Sequence, residues 1–215
     1  MQLIFFDCDG VLIDSELIAC SADAEALTAI GYPITAAEVG RRFAGIPPDT
    51  VYQTIEAEMG HPLPPGFDEQ VKQTVYEKYR TDLHPIDGAA EVLSSITLPK
   101  CIASSSAPAK LTLGLVETGL YRLVYPHIYS ASLVRHGKPH PDLFQHTAHA
   151  MGADPADCLV IEDSVAGATA AQAAGMECIG FTGGSHCEPG HGDLLRSAGA
   201  DTIIEDLRDV LAYVS

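Results

Sequence analysis

The chain has 215 residues, of which 47% are hydrophobic, so we expect a substantial buried core. Its Lys and Arg residues number 12 and its Asp and Glu residues number 29, for a formal net charge of −17. This balance argues against a nucleic acid or an anionic membrane as the partner. No apolar run reaches the roughly 18 residues of a membrane span, and no targeting segment is evident. We therefore expect a cytoplasmic protein, monomeric, with its six cysteines reduced, since none forms a C-x-x-C pair.

Short apolar segments alternate along most of the chain with segments of helical periodicity. The first apolar segment covers residues 3–7, and the helical segments after residue 84 include 109–120 and 164–176. This alternation predicts an α/β fold, a doubly wound, Rossmann-like parallel sheet with helices on both faces. The other predicted strands lie at 101–106, 127–132, 158–164, 177–184 and 202–207.

One region interrupts the alternation. Four helix-like segments follow one another in 15–83 without a convincing strand, which predicts a helical cap domain inserted after the first strand. The α/β core domain would then comprise 1–14 and 84–215. The Pro- and Gly-containing segment that begins at His84 would return the chain to the core.

The segment TGGSHCEPGHGD, at 182–193, predicts an exposed loop. It contains His186, Cys187 and His191, which are residue types that bind soft metals. A loop is favoured over a metal site here, because glycines surround the three residues and no fourth ligand is evident.

Polar side chains stand where four of the predicted strands end. Asp7 and Asp9 would face the same region from an extended backbone and would repel each other. Because the carboxyl ends of parallel strands lie along one edge of a sheet, we expect all four groups to meet there. They are Asp7 with Asp9, the run Ser104-Ser105-Ser106, Lys138, and Glu162 with Asp163.

These residue types predict phosphoryl chemistry on a small phosphorylated metabolite. Clustered carboxylates need a hard cation, and Mg²⁺ prefers oxygen ligands. Asp7 could attack phosphorus, while Asp9 could give a proton to the leaving alcohol and then take one from water. Lys138 would offset the phosphoryl charge, and Ser104 with nearby backbone N–H groups would hold the phosphoryl oxygens.

Four segments resemble the motifs of the haloacid dehalogenase-like superfamily: DCDGVLIDSE, ASSS, GKPHPDLF and IEDSVAGATAAQAAGM. The chain is similar over its whole length to the β-phosphoglucomutase-like phosphatases with a four-helix cap, and within them it resembles the bacterial 6-phosphogluconate phosphatases. The resemblance implies Asp7 as nucleophile and Asp9 as general acid/base. It also implies phosphoryl binding by Ser104, Ser105 and Lys138, and Mg²⁺ binding by Asp7, Asp9, Asp163 and, directly or through a ligand, Glu162.

Departures from the family pattern bear on the reaction. Ala19 and Pro48 stand where phosphomutases of the family carry a histidine and an arginine, which favours hydrolysis over a sugar phosphomutase. Arg41 and Arg42 could grip a substrate carboxylate or phosphate, or could equally form a solvated helix end. A binding protein with an inactive site and a non-enzymatic phospho-acceptor domain also remain open, although phospho-acceptor domains are shorter and carry an adjacent acid pair at the first strand.

Overall fold

The computed structural model describes residues 1–43, 46 and 48–214, without the side chains of Pro48 and Asp49. The chain divides into two compact units. The α/β unit comprises residues 1–14 and 83–215, and the helical unit comprises residues 15–82.

The described residues of the helical unit form four α-helices, and α1 packs against α2 and α4. A capping box begins α2, because the Glu38 N–H donates to Thr35 Oγ1 at 3.2 Å while the Thr35 N–H donates to Glu38 Oε2 at 2.9 Å. The rings of Tyr52 and Phe67 meet edge to face at 5.4 Å, which ties α3 to α4. The helices are α1 Glu16–Ala29, α2 Ala36–Phe43, α3 Pro48–Met59 and α4 Phe67–Asp82.

The α/β unit is built on a parallel sheet of six strands in the order β3-β2-β1-β4-β5-β6. The predicted fold class, a doubly wound parallel sheet, is confirmed. The order reverses at β1, which lies between β2 and β4, and the ends of these strands are where ligands bind in such sheets. The strands are β1 Leu3–Phe6, β2 Lys100–Ser104, β3 Ile128–Ser130, β4 Cys158–Glu162, β5 Glu177–Phe181 and β6 Thr202–Ile204.

Six helices accompany the sheet: α5 Ala89–Ser95, α6 Pro108–Glu117, α7 Tyr121–Val124, α8 Asp142–Met151, α9 Val165–Ala174 and α10 His191–Ser197. The predicted loop over 182–193 was wrong at its end, because α10 already begins at His191. Gly190, with φ of +91°, turns the chain into this helix. All six cysteines are free thiols. None of the helices in the described ranges combines the length and the apolar character that a membrane span requires.

The first strand is buried along its whole length. All four residues of LIFF are buried, as expected of an apolar run that is covered on both faces. Phe5 packs edge-on against Phe144 of α8, with 5.7 Å between the ring centroids. On the two sides of β1, Phe6 is paired in register with Ile102 of β2 and Ile161 of β4. The residues that follow these three strands therefore emerge side by side.

Candidate active site

Lys138 lies at the centre of a charged cluster at the carboxyl end of the sheet. Its ammonium group donates to Asp7 Oδ1 at 2.5 Å, to Glu162 Oε1, and to the backbone carbonyl of Ala103 at 2.8 Å. The lysine side chain is 3% exposed, and its Nζ lies 5.1 Å from the ring centroid of Phe144. The three protons of the ammonium are thus matched by three acceptors at the ends of β1, β2 and β4.

Both carboxylate oxygens of Glu162 are engaged by neighbours. Oε1 accepts from Lys138, and Oε2 accepts from the backbone N–H and the hydroxyl of Ser164 at 3.1 and 2.9 Å. Glu162 is fully buried, and a Cβ on Gly167 would lie 1.9 Å from its carboxyl carbon. Position 167 therefore requires glycine, and the first turn of α9 packs closely over the carboxylate.

Asp9 is held by a hydroxyl group and an ammonium group. The Ser106 hydroxyl, just beyond β2, donates to Asp9 Oδ2 at 2.6 Å. Lys110, in the first turn of α6, places its Nζ 2.9 Å from Asp9 Oδ1. The hydroxyl of Ser130, at the end of β3, donates to the Ser106 carbonyl at 2.7 Å and holds that turn. The orientation of Asp9 is therefore set by β2, β3 and α6 together.

Asp163 lies directly against the turn that follows β1. A Cβ on Gly10 would be 1.9 Å from Asp163 Oδ2, and Gly10 has φ of +79°, so only glycine fits there. His186 Nε2 lies 3.0 Å from Asp163 Oδ2, and His191 Nε2 lies 2.5 Å from the Asp163 backbone carbonyl oxygen. Although burial lowers the pKa of His186, its hydrogen bond to Asp163 raises that pKa to about 10.

The serine turn after β2 contributes one buried and one exposed side chain. Ser104 is buried, and its hydroxyl oxygen accepts from the Ser106 backbone N–H at 3.0 Å. Ser105 is exposed. The turn ends one residue before α6 begins at Pro108, so its backbone donors lie next to a helix N-terminus, where anions are favoured.

The cluster holds more negative charge than its lysines offset. Burial raises the pKa of Asp7 well above its usual value; Lys138 opposes this rise, and Glu162, Asp163 and Asp9 add to it. Burial also lowers the pKa of Lys138, but its carboxylate partners more than reverse this effect, so the lysine stays charged. The metal-ligand atoms that this cluster offers are carboxylate oxygens. Hard oxygen atoms of this kind suit a divalent cation such as Mg²⁺.

The structure brings the sequence-predicted acids and Lys138 together, with Ser104 and Ser105 in the adjoining turn. Sequence reasoning placed Ser106 in the serine run but gave it no contact with Asp9. It did not single out Lys110, which also holds Asp9, Ser130, which holds the Ser106 turn, or Ser164, which holds Glu162. One signal could have found Lys110, since it lies in the first turn of the helix predicted directly after the serine run.

The two arginines proposed as substrate contacts lie in α2 of the helical unit. Arg42 donates to Glu58 Oε1 at 2.6 Å and to the Tyr32 hydroxyl at 2.7 Å, while Arg41 is exposed. Pro48 stands where phosphomutases of the family carry an arginine, and its side chain lies outside the described part of the structure. Ala44, Gly45 and Pro47 of the same segment lie outside it as well.

Residues 1–175 match a family model described as haloacid dehalogenase-like hydrolase. The chain belongs to this family. A 6-phosphogluconate phosphatase of Escherichia coli (strain K12) is 31% identical to it over 190 residues, which are 88% of this chain and 86% of that protein. The family predicted from the four motifs is thus confirmed, and the predicted enzyme class, a phosphatase of this family, is supported by relatives of that name.

Two solved structures of the family resemble the whole chain. A haloacid dehalogenase-like protein of unknown function from Agrobacterium tumefaciens strain C58 has a TM-score of 0.89 and 42% identity, and the match covers 100% of this chain and 97% of that one. A family hydrolase from Deinococcus radiodurans R1, solved with bound phosphate and sodium, has a TM-score of 0.83 and 32% identity, with coverage of 99% and 94%.

Proposed function

We propose that this hydrolase is a Mg²⁺-dependent phosphatase that cleaves a small sugar or sugar-acid phosphate through an aspartyl-phosphate on Asp7. The observation that carries the proposal is the buried contact of Lys138 with Asp7 and Glu162, next to an Asp9 that is held by Ser106 and Lys110. One carboxylate is paired with a permanent cation, and a second one two residues away is oriented for proton transfer.

The proposed reaction has two steps. In the first, a carboxylate oxygen of Asp7 forms a bond to phosphorus as the bond from phosphorus to the substrate oxygen breaks, and Asp9 gives its proton to the departing alkoxide. In the second, Asp9 takes a proton from a water molecule, whose oxygen attacks the phosphorus of the aspartyl-phosphate. The bond between phosphorus and Asp7 then breaks, and inorganic phosphate leaves.

Lys138, Ser104 and Ser105 would bind the phosphoryl group. The Lys138 ammonium, fixed by Glu162, would offset charge on the phosphoryl oxygens and on Asp7. The Ser104 hydroxyl and the backbone N–H groups of the serine turn would donate to the same oxygens. Glu162 acts here as the group that positions Lys138, since both of its carboxylate oxygens already accept hydrogen bonds.

Mg²⁺ would be held by the carboxylates of Asp7 and Asp163 and the backbone carbonyl of Asp9. When bound, it would neutralise charge on the transferring phosphoryl group. The surplus of negative charge around Asp7 supports a cation at this place. The relative from Deinococcus radiodurans was solved with an anion and a cation bound, namely phosphate and sodium.

The substrate class is proposed from the named relative and from the helical unit. The relative from Escherichia coli suggests 6-phosphogluconate as the first compound to test. The helical unit would serve as the substrate-reading cap, with Arg41 and Arg42 as candidate contacts to a second anionic group. Arg42 would have to exchange its contacts with Glu58 and Tyr32 for such a substrate group. The cytoplasmic location and the monomeric state stay predictions.

Release of inorganic phosphate tests the proposal. The pure protein is incubated with 6-phosphogluconate and with glucose 6-phosphate, which lacks the terminal carboxylate, in Mg²⁺ and again with excess chelator. We expect phosphate release that needs Mg²⁺. We also expect a higher kcat/KM for 6-phosphogluconate than for glucose 6-phosphate. Conversion of a sugar phosphate into an isomer without phosphate release would instead indicate a mutase, and a single phosphorylation without turnover would indicate a phospho-acceptor.

A further inference from the structure

The segment between β5 and α10 brings a second set of metal-binding side chains together. His186 and Cys187 lie in this segment, and His191 is the first residue of α10. Each of the three offers a ligand atom within 4.8 Å of those of the other two. The thiol already adjoins an imidazole, because Cys187 Sγ and His186 Nε2 are 3.4 Å apart. Two imidazoles and a thiolate form a donor set that binds Zn²⁺.

We propose that His186, Cys187 and His191 form a metal site that takes a thiophilic divalent ion such as Zn²⁺. Two ligand atoms of one tetrahedral zinc ion lie roughly 3.3–3.8 Å apart, given Zn–N and Zn–S bonds of about 2.1 and 2.3 Å. One ligand atom of each residue already lies within 4.8 Å of those of the other two, so rotation of the side chains would close the site. Three protein ligands would leave the fourth position to water.

The hydrogen bonds of the two histidines prepare them for coordination. His186 Nε2 is held by the carboxylate of Asp163, and His191 Nε2 is held by the backbone carbonyl of the same residue. Metal-binding histidines are commonly fixed in this way, with one ring nitrogen on a carboxylate or carbonyl and the other on the metal. The arrangement leaves Nδ1 of each ring as the ligand atom. The Cys187 side chain, whose Sγ now lies beside His186 Nε2, would turn toward the ion that Nδ1 binds.

The Nδ1 atom of His186 is an independent sign of a ligand. It is buried and has no hydrogen-bond partner among the described residues. Buried polar atoms of this kind are uncommon and need an explanation. Coordination through Nδ1, with Nε2 donating to Asp163, would satisfy both nitrogens of the ring.

The proposed zinc site differs in chemistry from the oxygen-rich cluster beside it. Asp7, Asp9 and Asp163 offer hard oxygen donors, whereas the new site offers a soft sulfur and two nitrogens. Asp163 would touch both sites, since its carboxylate faces the cluster and also holds His186. The effect of zinc on catalysis depends on the proposed function, but binding of the ion does not, so the test uses no substrate.

Cobalt spectroscopy on the full chain tests the site. Co²⁺ is added in the presence of saturating Mg²⁺, which occupies oxygen ligands but does not compete for a thiolate. We expect a thiolate-to-cobalt charge-transfer band together with the strong visible absorption of tetrahedral Co²⁺. One equivalent of Zn²⁺ should abolish both, since Zn²⁺ binds such sites more tightly than Co²⁺.

Three variants assign the band to this cluster. Cys187→Ser should remove it, while Cys20→Ser, which alters a partly exposed cysteine in α1, should keep it. His191→Gln keeps the thiol and should weaken Zn²⁺ binding at least about tenfold, the loss seen even when an outer partner of a ligand is removed. Circular dichroism tests whether each variant is folded. If Cys187→Ser does not fold, the Zn²⁺ affinity of His191→Gln tests the site instead.

Two results would overturn the proposal. One is an equal charge-transfer band in wild type and in the folded variants of the cluster. The other is uptake of Co²⁺ that produces no such band and that is lost in Asp7→Asn. This result would place the ion in the oxygen-rich cluster only.

Discussion

The two units of the chain place their charges in different surroundings. In the α/β unit, the Lys138 side chain is 3% exposed and its partner Glu162 is 0% exposed. In the helical unit, the side chains of Lys78 and its partner Glu25 are 26% and 58% exposed. Both pairs lie at hydrogen-bond distance, but of these two only the pair in the α/β unit is removed from water.

This difference in exposure indicates that the two pairs have different roles. A buried ion pair adds little net stability, because desolvation of the two charges costs about as much as their attraction returns. An exposed pair also contributes little, since water and salt screen it. Burial of Lys138 between two carboxylates therefore chiefly provides a fixed, charged group at the edge of the sheet, as a catalytic site requires. The exposed pair of the helical unit is part of a solvated surface.

The largest expected effect is on turnover, from Asp7→Asn. We expect phosphate release to fall by roughly 10⁴-fold or more, the scale on which removal of a nucleophile acts. The amide keeps the shape of the side chain, so the fold should persist by circular dichroism. The matched control is Asp87→Asn, which alters a 90% exposed carboxylate of the same unit and should leave kcat unchanged. Near-normal turnover by Asp7→Asn would remove Asp7 from the nucleophile role.

The next effect is on stability and compares the two lysines directly. Lys138→Met leaves two buried carboxylates without their cation and should lower the free energy of unfolding by about 3–5 kcal/mol. Lys78→Met breaks an exposed pair and should lower it by no more than about 1 kcal/mol. Urea unfolding of both variants, without added metal, measures the contrast.

A second substitution isolates the cause of the Lys138 effect. Adding Glu162→Gln to Lys138→Met removes one of the two uncompensated charges, so part of the lost stability should return. If the double variant were no more stable than Lys138→Met, lost packing against Phe144 rather than unpaired charge would explain the effect.

A smaller effect is expected from the lysine that holds Asp9. Lys110→Met should lower kcat by roughly 10–100-fold, because Asp9 would keep the Ser106 hydroxyl but lose the ammonium that fixes its other oxygen. Lys110→Arg supplies a cation at the same place and should restore part of the activity. Equal loss in both variants, with the fold intact, would show that the charge at position 110 does not position Asp9.

The sequence predicted the sheet edge well, for a physical reason. Apolar runs define buried strands, and parallel strands bring their carboxyl ends to one side, so Asp7 and Glu162 had to meet there. Lys138 reaches them from the loop that follows β3. The contacts around Asp9 were harder to foresee. Ser106 is 97 residues away from Asp9 in the chain, and its contact depends on how one turn is held by Ser130.

The segment 182–193 shows where sequence reasoning reaches its limit. Its glycines and proline correctly indicated an irregular segment, but the start of α10 at His191 depends on the turn at Gly190. The approach of His186, Cys187 and His191 to one another depends further on Asp163, which follows β4 and holds both histidines. No spacing rule within twelve residues of sequence contains that information.

The smallest effect is expected in the helical unit and depends on pH. Hydrogen bonds from Lys78 and Ser21 lower the pKa of Glu25 from its ordinary value of 4.5. A carboxylate with a depressed pKa in the folded state contributes its stability above the unfolded pKa, and this contribution is lost as the pH falls through the folded value. Glu25→Gln should therefore destabilise slightly at pH 7, by no more than about 1 kcal/mol. The difference from wild type should shrink from about pH 4.5 downward. Thermal unfolding at pH 7 and below about pH 4.5 measures this change. The control is Glu77→Gln, which alters an exposed residue of α4. A stability difference between Glu25→Gln and wild type that persists at low pH would mean that the charge of Glu25 is not its cause.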